Sequence, residues 1–111
     1  MMDWKILYAQ HAEDDLLEIL DYITLSLFEP VIAQDQVDRI MIAVSKLREF
    51  PERYRVYDKE PWRSRGLRVL TVDNYVALYI PIKGTKTVTV IRVIYAGRDI
   101  DEQLEHTRII E

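Results

Sequence analysis

Apolar residues recur at helical spacing through the first half of the chain. One stripe lies between Gln10 and Leu27, and its members are Ala12, Leu16, Ile19, Leu20, Ile23 and Leu27. A second stripe follows Pro30 and runs to about Glu49; its members are Ala33, Val37, Ile40, Met41, Val44 and Leu47. Such spacing is typical of helices that bury one face. Pro30 suits a first helical turn and Pro51 prevents continuation, so the pattern predicts two helices in an antiparallel hairpin.

Shorter runs rich in β-branched and aromatic residues predict four strands. The runs are Trp4–Tyr8, Leu67–Val72, Tyr75–Ile82 and Thr87–Tyr95. Short polar turns separate the last three runs, which is typical of sequential hairpins, and we therefore expect a three-stranded meander. The final run is β-branched on both faces, so we place it centrally in the sheet. Pro81 indicates an edge position or a bulge near the end of the middle run.

A short C-terminal helix completes the predicted fold. Asp99 and Glu102 have the spacing of a capping box, with Asp in place of the usual Ser or Thr. We expect a helix to begin here and to contain Leu104. The predicted fold is α+β: a two-helix antiparallel hairpin packs on an antiparallel β-sheet formed by the N-terminal strand and the meander.

Composition limits the class of protein. The chain has 111 residues, of which 49% are hydrophobic and 31% charged, which fits one globular domain covering residues 1–111. It has no Cys, so disulfides and thiolate metal sites are excluded. We find no signal peptide and no membrane-spanning run, and we expect a cytoplasmic protein. The histidines, His11 and His106, lack ligand spacing and are expected on the surface, so we predict no metal and no cofactor.

Charge is unevenly distributed, although the net charge is only −4. The basic segment, Lys46 to Arg68, contains Lys46, Arg48, Arg53, Arg55, Lys59, Arg63, Arg65 and Arg68. Residues 13–21, in contrast, contain no base but several acids, namely Glu13, Asp14, Asp15, Glu18 and Asp21. We interpret these carboxylates as a solvated face of the first helix, where they interact favourably with the helix dipole.

Arginine and tyrosine are the candidates for function, because the chain has no nucleophilic serine elbow and no glycine-rich phosphate loop. Arg68 begins the meander and Arg98 follows it, and we expect both to reach one side of the sheet. Arg53, Arg55, Arg63, Arg65 and Arg92 lie nearby in sequence or in the last strand. Such a set can bind an RNA backbone or stabilise a phosphorane-like transition state, with Tyr75 or Tyr95 as proton carrier.

A structural interpretation of the same side chains is equally open. The arginines can pair with Glu60, Asp73 or Asp99, or with acidic residues of a partner. Tyrosines in strands often fill the boundary between core and water. The residues alone do not decide between these interpretations.

Several stretches, taken in order, resemble the RelE/ParE family of toxins. Tyr8 to Leu16 resembles the family's passage from strand to first helix, and Leu47 to Pro51 resembles the end of its second helix. Gly66 to Leu70, Asn74 to Tyr79 and Val88 to Ile100 resemble its three-stranded core and ending. The resemblance covers nearly the whole chain and implies the fold predicted above.

This resemblance implies a toxin of a type II toxin–antitoxin module, neutralised by a cognate antitoxin encoded beside it. ParE-like members poison DNA gyrase, whereas RelE-like members cut mRNA in the ribosome. Gyrase and the ribosome with its mRNA are therefore the candidate targets, and a degenerate, non-toxic homologue is a third candidate. We expect the antitoxin to lay an amphipathic segment across the domain, with its acidic residues on the basic segment.

The resemblance to the RelE-like nucleases is incomplete at individual positions. They place an arginine after the aromatic residue of the middle strand, where this chain has Val76, and a catalytic tyrosine near the position of Leu104. Arg98 matches the arginine after their last strand. The nucleases also carry several basic residues on the strand before the middle strand, and this chain has only Arg68 there. Tyr95 stands where related sequences often have histidine. We therefore slightly favour ParE-like binding of gyrase over RNA cleavage.

Overall fold

The computed structural model describes residues 3–107. Its strands and α-helices, in chain order, are β1 (Lys5–Tyr8), α1 (Gln10–Asp21), α2 (Pro30–Ser45), β2 (Arg68–Val72), β3 (Tyr75–Ile82), β4 (Thr87–Tyr95) and α3 (Ile100–Glu105). A π-helical turn, Tyr22–Ser26, extends α1, and short 3₁₀ turns follow α2 at Lys46–Arg48 and Pro51–Arg53. The predicted cap of α3 is confirmed, because the Asp99 carboxylate accepts the N–H of Glu102 at 3.1 Å.

The first helix ends earlier than its apolar spacing predicts. Regular α-helix ends at Asp21, and the next turn widens into the π-helical turn. Phe28 then has a left-handed φ of 57°, and the N–H of Glu29 donates to the Ile23 carbonyl at 3.2 Å. A left-handed residue is a common way to end a helix. Periodicity did not reveal this ending because the apolar spacing continues through Leu27.

The strands form one sheet in the order β1-β4-β3-β2. The antiparallel meander is confirmed, and β4 has the predicted central position because it pairs with both β1 and β3. β1 runs parallel to β4, so the sheet is mixed rather than antiparallel throughout. A four-residue strand has no local pattern that determines its direction, which depends on where the helical hairpin returns the chain to the sheet.

The irregularity predicted around Pro81 is present in β3. The register between β3 and β4 shifts between Leu78 and Tyr79. Pairing between β2 and β3 ends at Tyr79, so Pro81 pairs with Val88 of β4 and has no β2 residue opposite it. The missing N–H of the proline therefore disrupts no bond to β2.

Different layers cover the two faces of the sheet. On one face α1 and α2 bury a cluster that includes Ala12, Leu16, Ile19, Ala33, Val37, Ile40, Val44, Leu70, Ala77, Tyr79, Val88, Val90 and Val93. On the other face, α3 and residues 54–66, which we call the covering segment, enclose Tyr57, Trp62, Leu67, Val69, Val76, Leu78, Ile91, Ile94 and Leu104. The Asp101 carboxylate of α3 accepts a hydrogen bond from Tyr57 and pairs with Lys59. The meander is thus covered on both faces.

None of the helices within residues 3–107 has both the length and the apolar character needed to cross a membrane.

Candidate functional site

A groove of about 600 Å³ opens at one end of the molecule, between the helical hairpin and the adjoining ends of β3 and β4. Its apolar lining consists of Ile19, Ile23, Leu27, Ile32, Val93 and Ile94. Its polar lining consists of Asp15, Glu18, Tyr22, Tyr75, Arg92, Tyr95 and Arg98. Of the catalytic candidates predicted from sequence, Tyr75, Tyr95 and Arg98 therefore lie in one groove, whereas Arg68 does not.

Strand register brings the tyrosines of the groove together. Tyr75 begins β3 and Tyr95 ends β4, and the antiparallel pairing places them opposite each other. Their rings meet edge to face, with centroids 5.8 Å apart and planes inclined by 69°. A Cβ on Gly97 would lie 2.5 Å from Cε2 of Tyr95, so only glycine leaves room for this ring position. The π-helical turn adds Tyr22, which was not among the predicted site residues.

The phenol of Tyr75 is held in its protonated form. Burial raises the pKa of Tyr75 above its ordinary value, and the neighbouring Tyr95 and Tyr22 raise the pKa further. At neutral pH this hydroxyl can donate a hydrogen bond but is a poor general base. The environment of Tyr75 therefore suits binding better than proton abstraction.

Arg98 supplies a positive charge at the groove. It lies in the turn after β4, where its backbone N–H donates to the Tyr95 carbonyl at 3.0 Å. The side chain is exposed, and its guanidinium has no hydrogen-bond or ion-pair partner among residues 3–107. An unpaired guanidinium of this kind can bind a carboxylate or phosphate with paired hydrogen bonds.

A buried ion pair closes the inner side of the groove. Asp15 and Arg92 are only 8% and 9% exposed. Arg92 donates from Nε and Nη2 to the two carboxylate oxygens of Asp15 at 2.7 and 2.9 Å. Its Nη1 donates to Thr107 Oγ1 at 2.8 Å and to the Gln103 carbonyl at 3.2 Å, and the Val93 N–H donates to Asp15 at 2.8 Å. This network joins α1, β4 and the end of the described chain.

The prediction of a solvated acidic face for residues 13–21 is wrong for Asp15. The remaining acids, Glu13, Asp14, Glu18 and Asp21, are exposed as predicted. Asp15 instead shares the buried stripe of α1 with Ala12 and Ile19, which lie three and four residues away. Arg92 could have indicated a buried acid in the sequence, since a permanent charge inside an apolar strand needs a buried partner.

Arg68 lies away from the groove, and the expectation that it shares a site with Arg98 is wrong. It faces Tyr79 across β2 and β3, four residues or about 13 Å from the groove end of β3. Nη1 of Arg68 donates to the carbonyls of Glu52 and Tyr54 at 2.8 and 2.6 Å. The side chain therefore holds the chain at the start of the covering segment.

The rest of the basic segment forms an exposed cationic surface outside the groove. Its members among the predicted site residues are Arg53, Arg55, Arg63 and Arg65. Two of these guanidinium groups lie over aromatic rings, Arg53 over Tyr54 at 5.2 Å and Arg65 over Trp62 at 5.1 Å. The predicted pairing of these arginines with acids of the same chain is wrong for Asp73 and Asp99. For Glu60 it holds in part, because hydrogen bonds from Ser64 and then the charge of Arg63 lower the pKa of its carboxyl. Glu60 accepts from Ser64, Asp73 pairs with Arg39, and Asp99 caps α3.

The groove lacks the catalytic residues that the nuclease resemblance implies. Val76 and Leu104, at the positions where the nuclease resemblance implies arginine and tyrosine, are buried on the opposite face of the sheet. His11 and His106 are exposed, as predicted, and neither lines the groove. Within residues 3–107, no group of three or more acidic or histidine side chains could hold a metal ion. Hydrogen-bonding phenols and one unpaired cation around an apolar floor suit recognition of a protein segment.

Comparisons with solved structures support the fold. The chromosomal ParDE system from P. aeruginosa has a chain with 22% identity and a TM-score of 0.69, covering 83% of this chain and 95% of that chain. The RelBE2 toxin–antitoxin complex from Mycobacterium tuberculosis gives 20% identity, a TM-score of 0.61 and coverage of 86% and 93%. A mutant of the E. coli toxin RelE in the free state gives 13% identity, a TM-score of 0.63 and coverage of 96% and 95%.

Sequence comparison is more specific about the family. No curated protein sequence matches the chain. The model of the family described as ParE toxin of type II toxin–antitoxin system, parDE, matches residues 6–100, which is most of the chain. The protein therefore belongs to the ParE family of type II toxin–antitoxin toxins.

Proposed function

We propose that this ParE-family toxin acts by binding a target protein, DNA gyrase, and that the groove between the helical hairpin and the sheet is the binding site. The observation that carries the proposal is the composition of the groove. Tyr22, Tyr75 and Tyr95 offer hydroxyl groups and Arg98 offers an unpaired guanidinium above an apolar floor. Tyrosine and arginine are the residues that most often dominate protein interfaces.

Val76 and Leu104, which stand where the nuclease resemblance implies a catalytic arginine and tyrosine, support binding rather than chemistry. Cleavage of RNA needs a group that removes a proton and a group that returns one, in addition to charge stabilisation. Tyrosine is already protonated at neutral pH, and the raised pKa of Tyr75 makes loss of its proton less favourable still. The carboxylate of Asp15 is occupied by Arg92 and the N–H of Val93.

A ribosome-dependent mRNA endoribonuclease is the second candidate function. The observation that favours it is the exposed guanidinium of Arg98 in a groove that Tyr75 and Tyr95 also line, because such a group can stabilise charge on a scissile phosphate. In that mechanism Tyr75 or Tyr95 carries the proton. A homologue that has lost toxicity is the third candidate.

Inhibition of gyrase supercoiling tests the proposal directly. Purified toxin at micromolar concentration is expected to inhibit supercoiling, and Arg98→Ala is expected to weaken inhibition about tenfold because a charge-assisted hydrogen bond is lost. Lys83→Ala is the matched control, since this exposed cation lies at the opposite end of the sheet, with Nζ 3.5 Å from Glu52. The control is expected to inhibit like the unaltered protein.

The other outcomes identify the other candidates. Cleavage of ribosome-programmed mRNA by the toxin, abolished by Arg98→Ala, would contradict the binding mechanism and support the nuclease. Failure to inhibit gyrase or to cleave message, together with no growth arrest on induction, would support a degenerate homologue.

The partner that we propose for the basic segment is the cognate antitoxin, through an acidic amphipathic segment. Arg53, Arg55, Arg63 and Arg65 are exposed, and none of them forms an ion pair with the acids predicted as partners, although the charge of Arg63 acts on Glu60. Since exposed charges are screened by salt, affinity for the antitoxin is expected to fall at least about tenfold between roughly 0.1 and 0.5 M salt. Calorimetric titration of the toxin with the product of the adjacent reading frame measures this, and a salt-independent affinity would refute the electrostatic contact.

A further inference from the structure

The end of the helical hairpin carries the most concentrated exposed apolar surface of the described chain. We call this the hairpin-end surface, and it comprises Tyr22, Leu25, Leu27, Phe28, Val31 and Ile32. More than half of each of these side chains is exposed, and Val31 reaches 81%. Single exposed apolar residues need no explanation, but a contiguous group of this size marks an interaction site.

Phe28 is the most exposed member, and its backbone is unfavourable for a residue with a Cβ. It is 82% exposed and has a φ of 57°, in the left-handed region. Left-handed backbone is normally occupied by glycine or asparagine. A large aromatic side chain on strained backbone, exposed in the free protein, is explained if it is buried in a complex.

The charges around this surface determine the chemistry of its partner. Between Lys5 and Arg39 the chain contains eight acidic residues and no Lys or Arg. Asp15 is neutralised by Arg92, but Glu18, Asp21 and Glu29 are exposed next to members of the hairpin-end surface. Arg98 contributes one positive charge beside Tyr22, Leu27 and Ile32, but the three exposed carboxylates outnumber it. An acidic segment, such as that expected of the antitoxin, is therefore disfavoured here.

We propose that the hairpin-end surface binds an amphipathic helix of a partner protein whose apolar stripe is flanked by Lys or Arg. The apolar side chains of this surface come from the end of the first helix of the hairpin and the start of the second. Such a surface can hold the apolar face of a partner helix, whose apolar residues are spaced three and four positions apart. A second copy of this chain is disfavoured as the occupant, because two hairpin ends meeting symmetrically would bring their carboxylates together. The hairpin-end surface adjoins the groove and shares Tyr22, Leu27 and Ile32 with it. The proposal itself does not depend on which target the toxin inhibits.

The chain provides a matched internal control for Phe28. Its other phenylalanine, Phe50, is 79% exposed and has a φ of 53°. Phe50 follows the opposite end of α2, close in sequence to Lys46, Arg48 and Arg53 rather than to an acidic stretch. The two residues share exposure and backbone strain, so replacing either should change stability in the same direction and by a similar amount.

The experiment uses synthetic helices as probes of partner chemistry. A labelled Leu/Lys amphipathic helix of about 18 residues and a Leu/Glu helix of the same pattern are titrated with the full chain by fluorescence anisotropy. The Leu/Lys helix is expected to bind and the Leu/Glu helix to bind at least about tenfold more weakly. Phe28→Ser is expected to weaken Leu/Lys binding about tenfold, whereas Phe50→Ser leaves it unchanged. Thermal unfolding of both variants checks that they are folded.

Each of the following results would refute the proposed binding of a basic amphipathic helix. If neither Phe28→Ser nor Phe50→Ser weakened binding, the Leu/Lys helix would be held by general attraction to an acidic protein, and the proposal would fail. Equal losses for the two variants would also refute it, because the helix would then not distinguish the hairpin end. It would also fail if the Leu/Glu helix bound as well as the Leu/Lys helix. Self-association of the free toxin by light scattering, abolished by Phe28→Ser, would assign the surface to a second copy instead.

Discussion

Asp15→Ala is expected to lower the free energy of unfolding by about 3–5 kcal/mol, the largest effect of any single acidic substitution among residues 3–107. The variant would leave Arg92 buried with no counter-charge, because two of its donors now end on the Asp15 carboxylate. It would also remove the acceptor of the Val93 N–H, three residues beyond the point where pairing with β1 ends at Val90. Chemical denaturation monitored by circular dichroism measures the loss.

Asp14→Ala is the matched control for this substitution. Asp14 is the adjacent carboxylate on α1 but is exposed, and its recorded contact is a hydrogen bond from Gln10 at 3.0 Å. We expect its removal to change stability by no more than about 0.5 kcal/mol. The double variant Asp15→Ala with Arg92→Met should recover much of the loss, since it no longer buries an unpaired charge. Similar effects for Asp14→Ala and Asp15→Ala would show that the pair is not buried.

Trp62→Ala is expected to cost about 3–5 kcal/mol of folding stability, which is typical of deleting a buried aromatic side chain. Trp62 is only 5% exposed and belongs to the cluster on the face of the sheet opposite the helices. Its carbonyl also accepts the N–H groups of Arg65 and Leu67, each at 3.1 Å, so its place in the covering segment is well determined. The loss is measured by urea unfolding.

Arg63→Ala provides the comparison within the same segment. Arg63 is the next residue and is exposed, so its truncation should change stability by less than about 0.5 kcal/mol. Should Trp62→Ala be as mild as Arg63→Ala, the covering segment would be a loosely attached loop, and the second core cluster would not contribute to stability as described.

Much of the secondary structure could be predicted because the relevant signals are local. The bounds of the three meander strands agree with the apolar runs to within one residue, and β4 is central because both of its faces are apolar. The capping pattern at Asp99 predicted the start of α3. The first helix was predicted too long because Ile23 and Leu27 continue the apolar spacing past its regular end.

The site was only partly predictable, for a different reason. Tyr75, Tyr95 and Arg98 were proposed together from their positions at strand ends, and they line one groove. Tyr22 was missed because nothing in its neighbourhood indicates that the helix widens into a π-helical turn there. Arg68 was placed with Arg98 because both flank the meander. β2 and β4 run in the same direction, so the start of β2 and the end of β4 lie at opposite ends of the sheet.

The sequence by itself determined the helical hairpin, the order of the meander, the separation of acidic and basic stretches and the resemblance to the toxin family. Each of these depends on neighbours within a few residues or on short stretches met in order along the chain. Only the tertiary structure decided the parallel direction of β1, the burial of Asp15 and the contribution of Tyr22 to the groove. Asp15 and Arg92 are 77 residues apart, and their pairing depends on how α1 packs on β4, which no local spacing encodes.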